Sequence, residues 1–174
     1  KQMITKINTE VPFDTNKRIL ETLFKTQQWA HAYDNKTHLN INKADGGFAI
    51  VTYADDRSYT PNEILNVYAS FIFDMVQKNT VIKFKHLQRY FWNWYSPSSK
   101  GTLFHQDDPR DDRYSIIYSL HTNDGGTCFK VNDEIKFEKS VESQALLFPS
   151  KLEHRGIAPT KDLNRLNLNI IVQI

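Results

Sequence analysis

The chain has 174 residues, 40% of them hydrophobic and 13% aromatic, which favours one globular domain and argues against a disordered or fibrous protein. Its net charge is +2, from 22 basic and 20 acidic residues scattered along the chain, so the sequence does not indicate a nucleic-acid-binding surface. No apolar stretch approaches the roughly 18 to 20 residues of a membrane span, and the first residues lack the apolar region of a signal peptide.

The first third of the chain predicts helices and short strands separated by polar loops. A strand is expected at 3–7, followed by a helix that begins near Asp14 or Thr15. A loop rich in Asn, Asp, Lys and Gly covers 31–47, and a second strand is expected at 48–53.

Residues 61–79 give the clearest helix in the sequence. Thr60 and Glu63 have the spacing of a capping box around Pro61 at the first helical position. The apolar residues that follow recur at helical spacing, which predicts a packing face and not a ligand-binding stripe. They are Ile64, Leu65, Tyr68, Phe71, Ile72, Met75 and Val76.

The remainder of the chain is rich in β-branched and aromatic runs with turns between them. Strands are predicted at 81–95, 113–121, 126–131, 134–138, 144–148, 152–158 and 165–173. Many short strands with regular turns indicate a sandwich or jelly roll, with the N-terminal helices on one outer face. The whole chain is predicted to be one domain, with a helical support region at about 1–80 and a strand-rich core at about 81–174.

The cysteine content limits which residue types could bind a metal. The lone Cys128 cannot form an intramolecular disulfide, which predicts a soluble cytoplasmic protein in a reducing compartment, and no cysteine-based zinc cluster can exist. Any metal must be held by histidines and carboxylates. His105 and Asp107, two residues apart at a strand edge, would point to the same side, and His154 follows a turn at the start of a distant strand.

Taken singly, His105 and Asp107 are typical loop residues, but two histidines and one carboxylate on one face form the ligand set of non-haem Fe(II). Arg165 begins a strand in which it shares a face with Asn167 and Asn169. An arginine that points into a barrel is costly unless an anion pairs with it, and a carboxylate fits its fork. The two asparagines could contact such a ligand or satisfy each other.

Several segments of residues 84–174 occur in an order that is typical of one protein family: WNWYSPSSKGTLFHQDD, RYSIIYSL, DGGTCF, ALLFPSKLEHRG and RLNLNIIV. In these segments the chain resembles the Fe(II)/2-oxoglutarate-dependent dioxygenases, in particular the prolyl 4-hydroxylase-like branch. The resemblance implies an α+β, mainly β fold: a double-stranded β-helix (jelly roll, cupin-like) with N-terminal helices packed on one face.

The resemblance also implies roles for individual residues. His105, Asp107 and His154 would bind Fe(II), and Arg165 would bind the distal carboxylate of 2-oxoglutarate. Further contacts to 2-oxoglutarate are implied for Tyr95, Asn167 and Ser119. Tyr95 lies in an aromatic run that could equally be core, and Ser119 occupies an inward position where relatives often have tyrosine.

The implied activity is the hydroxylation of a C–H bond, with succinate and CO2 as co-products and ascorbate as a further candidate cofactor. A prolyl residue in a peptide or protein is the expected substrate. The alternatives are an oxygenase of the same fold that acts on a free amino acid or other small molecule, and a non-enzymatic jelly-roll module. The acidic segment 107–113 is either a solvated loop or a mobile lid over the cavity mouth.

Overall fold

The computed structural model describes residues 4–31, 47–99, 101–162 and 164–174. The predicted polar loop at 31–47 lies almost entirely outside the described residues. Two helices and ten strands follow one another in those residues. They are β1 (Thr5–Asn8), α1 (Phe13–Lys25), β2 (Ala30–His31), β3 (Phe48–Ala54), α2 (Glu63–Lys78), β4 (His86–Tyr95), β5 (Arg113–Ser119), β6 (Gly126–Val131), β7 (Glu134–Lys139), β8 (Gln144–Pro149), β9 (His154–Ile157) and β10 (Arg165–Gln173).

The strands form two antiparallel sheets. The larger has seven strands in the order β1-β8-β5-β10-β4-β3-β2, and the smaller has three in the order β7-β6-β9. Phe129 of the smaller sheet packs in one apolar cluster with Ile117 and Phe148 of the larger. An isolated bridge pairs His105 with His154 and so extends the smaller sheet. Two packed antiparallel sheets confirm the predicted mainly β jelly-roll architecture.

Both helices cover the opposite face of the larger sheet. Leu23 of α1 and Leu65 of α2 are fully buried in the cluster that also contains Trp92 of β4 and Leu168 of β10. Burial of each such side chain contributes roughly 1.5 to 3 kcal/mol. The predicted placement of the N-terminal helices on one face is thereby confirmed. Neither helix in the described part of the chain is long and apolar enough to span a bilayer.

The central strand β10 separates the helical layer from the space between the sheets because its side chains alternate in direction. One face contributes to the helix-facing core: Leu166, Leu168, Ile170 and Val172. The other face lines a cavity: Arg165, Asn167, Asn169 and Ile171. The alternation predicted from the sequence is confirmed.

The helix α2 begins at Glu63, so the predicted capping box was wrong. The N-cap is Asn62, whose Oδ1 accepts a hydrogen bond from the Leu65 amide at 3.0 Å. Thr60 is instead held by the neighbouring strand, because its amide donates to the Val51 carbonyl at 2.9 Å. Asparagine is at least as good an N-cap as threonine, which explains the later start.

The predicted strand at 81–95 and the predicted apolar face of α2 are both more extensive than the structure shows. Residues 81–85 are not part of β4; within them the Phe84 amide donates to the side chain of Gln77 at 3.0 Å. On α2 the predicted apolar face is narrower than expected, since Ile64 is 60% and Phe71 38% exposed. The buried side chains of this helix are Leu65, Ala69, Ile72 and Val76.

Candidate metal centre and adjoining cavity

Three side chains that the sequence predicted as metal ligands converge between the sheets. One ligand atom each from His105, Asp107 and His154 lies within 4.8 Å of the others. The Nε2 atoms of the two histidines lie 3.6 and 3.5 Å from the two carboxylate oxygens of Asp107. The main-chain bridge between His105 and His154 holds the two imidazoles side by side, with ring centroids 4.6 Å apart. This separation suits a single metal ion placed among them.

Both histidines present the same nitrogen to the site. Nδ1 of His105 donates to the Leu103 carbonyl at 2.8 Å, and Nδ1 of His154 donates to the Leu152 carbonyl at 2.8 Å. A hydrogen bond from one ring nitrogen fixes the tautomer, so that the other carries the lone pair. Each Nε2 is therefore prepared to coordinate a cation.

The carboxylate of Asp107 is held by hydrogen bonds on one oxygen. Ser115 Oγ donates to Oδ2 at 2.6 Å, and Asn169 Nδ2 donates to the same atom at 3.3 Å. Burial raises the pKa of Asp107, but the nearby His154, His105 and the Ser115 hydroxyl outweigh it and hold that pKa well below its usual range. Asp107 is therefore an anion, the form that binds a metal.

The pKa values of the two imidazoles are shifted in opposite directions. Burial lowers the pKa of His154 and so favours the neutral, ligating form. For His105 burial acts in the same direction, but hydrogen bonding to Asp107 and the charge of that carboxylate outweigh it, and its pKa is raised. Asp107 thus increases the affinity of His105 for a proton, and a metal cation would compete with that proton.

A cavity of about 510 Å³ adjoins these three residues. Its floor is the antiparallel pair of β4 and β10, and one part of its wall is segment 57–60, which follows β3. The volume is within the range of small-molecule and cofactor sites, roughly 300 to 1,000 Å³. The metal-ligating groups are thus accessible to a further ligand.

Arg165 lies on this floor and is only 2% exposed. Its Nε donates to Ser140 Oγ and its Nη2 to Thr127 Oγ1, both at 3.0 Å, and Nη1 donates to the Ile157 carbonyl at 3.4 Å. No carboxylate in the described part of the chain pairs with it, and burial lowers the pKa of its guanidinium. A buried cation without a counter-charge is costly, so this position favours an anionic ligand.

Tyr95, for which the resemblance implied a contact to 2-oxoglutarate, lies beside Arg165. The two residues are partners in the β4–β10 pair, and the guanidinium lies 5.0 Å from the centre of the Tyr95 ring. Gly156 leaves room for both: a Cβ atom there would approach the Tyr95 hydroxyl to 2.7 Å and Arg165 Nη1 to 3.2 Å. The glycine keeps this corner of the cavity open.

Asn167 and Ser119 differ in their position relative to the cavity. Asn167 lines the cavity and accepts a hydrogen bond from Asn93 Nδ2 at 3.1 Å, so the mutual satisfaction of amides that the sequence left open is observed with Asn93 as the partner. Ser119 pairs with Asn167 across the sheet and is buried on the same face. It does not line the cavity; Ile117 on the same strand does.

Segment 107–113, for which the sequence allowed a solvated loop or a mobile lid, lines the cavity only through Asp107. Asp108 is 6% exposed and accepts hydrogen bonds from Arg110 Nε at 2.9 Å and from Gln88 at 3.3 Å. Gln88 Oε1 also accepts from Arg113 at 2.9 Å. These contacts connect the segment to Gln88 near the start of β4, and a lid over the cavity mouth stays a prediction.

Several residues of the site were not predicted. Ser115 lies four positions before Ser119 in β5, and strand alternation would have placed both on the inward face. Arg89 lies six positions before Tyr95 in β4 and lines the cavity for the same reason. Thr127 and segment 57–60 carry no signal of this kind, because their positions depend on how distant parts of the chain pack.

No protein-family model matches the sequence, and no curated protein sequence matches it. Solved structures with a similar fold exist. A prolyl hydroxylase from Trichoplax adhaerens, in complex with a peptide fragment of the hypoxia inducible factor oxygen degradation domain, is 14% identical, with 98% of this chain and 83% of that chain covered and a TM-score of 0.70.

A prolyl-4-hydroxylase from Pseudomonas putida is 10% identical, with 100% and 94% of the two chains covered and a TM-score of 0.70. SnoK, a non-heme alpha-ketoglutarate-dependent carbocyclase from nogalamycin biosynthesis, is 8% identical, with 99% and 79% covered and a TM-score of 0.71. At these identities the similarity shows a shared fold, and it confirms the double-stranded β-helix that the sequence resemblance implied.

Proposed function

We propose that the protein is an Fe(II)- and 2-oxoglutarate-dependent oxygenase, with one catalytic domain spanning 1–174, that hydroxylates a prolyl residue in a peptide or protein. The observation that carries this proposal is the position of two complementary sites on one cavity. The ligand set of His105, Asp107 and His154 faces the same space as the buried Arg165, which has no carboxylate partner among the described residues. The shared fold with prolyl hydroxylases and an alpha-ketoglutarate-dependent enzyme supports it.

The donor set fits Fe(II). Two neutral imidazole nitrogens and one carboxylate on one side of the ion leave positions open for other ligands, as in non-haem Fe(II) oxygenases. When bound, Fe(II) would supply the coupling of O2 reduction to oxidation of 2-oxoglutarate and of a substrate C–H bond, which yields succinate, CO2 and the alcohol.

The residues of this chain would position the cosubstrate and hold the ligands. Arg165 would bind the distal carboxylate of 2-oxoglutarate through its fork, while Ser140 and Thr127 fix the guanidinium. Tyr95 would close the same corner beside that carboxylate. Ser115 and the main-chain carbonyls keep Asp107 and the histidines in their ligating orientations.

The oxygenase activity is tested by two readouts on the purified protein. Anaerobic addition of Fe(II) and 2-oxoglutarate should give a weak visible charge-transfer band, and addition of O2 should then give succinate. His154→Ala should abolish both signals, while Lys130→Ala, at an exposed ion pair, should retain them. A metal-replete protein without the band and without succinate would instead be a jelly-roll binding module.

The prolyl substrate is tested with a panel of proline-containing peptides, with and without ascorbate. Peptide-stimulated succinate, together with a mass gain of one oxygen on proline, would establish the activity. Succinate formation that no peptide stimulates would retain the oxygenase and exclude this substrate class. A small-molecule substrate is the second candidate, because the fold is shared with a carbocyclase from nogalamycin biosynthesis.

A further inference from the structure

Arg89 of β4 is a second buried arginine on the cavity wall. Its side chain is 8% exposed, and Nη2 donates to the main-chain carbonyl of Asp107 at 3.2 Å. Within the described residues Nε has no hydrogen-bond partner. A guanidinium with so few acceptors is incompletely satisfied, and an anion that enters the cavity would supply the missing ones.

The carboxylate nearest to Arg89 is shared with another arginine. Oδ1 of Asp56 lies 4.0 Å from Arg89 Nε and 3.4 Å from Nε of Arg57, and both arginines line the cavity. Gln88 donates to the other oxygen of Asp56 at 3.0 Å. One negative charge is thus divided between two positive ones. Asp107 and Asp108 also act on Arg89, but Asp108 is paired with Arg110, and a bound cation would offset the charge of Asp107. With a cation bound, this wall of the cavity would carry a surplus of positive charge.

Arg89 and Arg165 stand at opposite ends of the cavity floor. In the β4–β10 register Arg165 pairs with Tyr95, while Arg89 pairs with Ile171. With a rise of about 3.3 Å per residue, the six-residue separation along β4 amounts to roughly 20 Å. Asn169, which contacts the Asp107 carboxylate, lies between the two ends. The distal carboxylate that Arg165 would bind is therefore remote from Arg89, whose guanidinium lies beside Asp107.

We propose that Arg89, with Arg57 beside it, forms a second anion site that binds a carboxylate of the substrate to be hydroxylated. This inference rests on the proposed oxygenase function and narrows its substrate class. The carboxylate could belong to the target residue itself, as in a free amino acid or a C-terminal proline. It could also be an acidic side chain next to a prolyl residue. In both cases the fork of Arg89 offers paired donors for its two oxygens.

The test compares matched probes by calorimetric titration of the protein loaded with Mn(II) and 2-oxoglutarate. One pair is L-proline and L-prolinamide; the other is acetyl-Pro-Asp-amide and acetyl-Pro-Asn-amide. In at least one pair the carboxylate probe should bind about tenfold more tightly than its amide partner. The responding pair identifies the source of the carboxylate.

Variants locate the site. In the responding pair, Arg89→Gln should bring the ratio of the two affinities close to one. Arg57→Gln should lower this ratio less, since Arg57 is 46% exposed. Asp56→Asn should raise the ratio, because it removes the carboxylate that the two arginines share. Arg110→Gln is the matched control: Arg110 pairs with Asp108 outside the cavity, and its loss should leave the ratio as in the wild type.

Two results would overturn the anion site. The first is equal affinity of the wild type for both members of each pair. The second is an equal loss of affinity for the carboxylate and amide probes in Arg89→Gln, which would mean that Arg89 acts only by holding the Asp107 carbonyl. The oxygenase proposal is judged separately, by succinate formation from 2-oxoglutarate in the Fe(II)-loaded wild type without any probe.

Discussion

Strand β10 buries its two faces to a similar extent but with opposite chemistry. Leu166, Leu168 and Ile170 are at most 1% exposed under the helices, while Arg165 and Asn167 are 2% and 3% exposed above the cavity. Burial of leucine is favourable by itself, whereas burial of an arginine or an amide is costly unless its groups find partners. The comparison separates a face that stabilises the fold from one that is retained for binding, and substitutions on each face can test that separation.

The largest effect on stability is expected from Leu168→Ala on the helix-facing side. The side chain is fully buried between its cross-strand partners Trp92 and Tyr118, so its truncation leaves a cavity. We expect the free energy of unfolding, measured by urea denaturation, to fall by about 2 to 5 kcal/mol. Ile64→Ala, at an exposed position of α2, should change it by less than about 0.5 kcal/mol. Loss of Mn(II) affinity in folded Leu168→Ala protein would show that the two faces are not separable.

The largest effect on ligand binding is expected from Arg165→Met, which should weaken 2-oxoglutarate binding about a hundredfold. The same change removes a buried charge that has no carboxylate partner among the described residues, so the free energy of unfolding without ligand should not decrease. Calorimetry and urea denaturation measure the two quantities. Arg165→Lys keeps the charge but loses the fork and should bind 2-oxoglutarate with intermediate affinity. Destabilisation as large as that of Leu168→Ala would instead make Arg165 a structural anchor.

A smaller effect is expected from Ser115→Ala, which removes the 2.6 Å hydrogen bond to Asp107 Oδ2. Loss of such a support should lower Mn(II) affinity about tenfold. Ser119→Ala is the matched control, because Ser119 lies on the same face of β5 and, among the described residues, is not hydrogen-bonded to the Asp107 carboxylate as Ser115 is. Reduced 2-oxoglutarate affinity in Ser119→Ala would support the contact to 2-oxoglutarate that the family resemblance implied for this residue.

The parts of the site that could be predicted are those that follow from strand alternation. The period of two placed Arg165, Asn167 and Asn169 on one face and His105 with Asp107 on one side, and the structure shows both arrangements. The same rule places Arg89 on the face of β4 that carries Tyr95, since the two residues are six positions apart. Alternation states which residues share a face, however, and only the packing of the sheets shows which face a cavity adjoins.

Features that depend on competition between local contacts were less predictable. Thr60 has the right type and spacing for a helix cap, but its amide is engaged by β3 and Asn62 takes that role. The acidic run after Asp107 was compatible with a solvated loop or a mobile lid, whereas in the structure the Asp108 carboxylate accepts hydrogen bonds from Arg110 and Gln88. In each case the deciding partner is distant in sequence, or is one of several equally suitable neighbours, so composition alone could not identify it.

The smallest effect is expected from Tyr118→Phe and concerns alkaline stability on the helix-facing side. Tyr118 is fully buried, its hydroxyl donates to Asn16 Oδ1 at 2.5 Å, and burial raises its pKa from 10.0 to about 12. Because the folded state holds this proton more tightly than the unfolded state does, its contribution to stability is complete below pH 10 and declines as the pH rises toward 12. Tyr118→Phe should lower the free energy of unfolding near neutral pH by about 1 kcal/mol and flatten its decline between these values. The free energy of unfolding is measured by urea denaturation between pH 10 and 12. If it declines as steeply with pH in the variant as in the wild type, groups other than Tyr118 cause the decline.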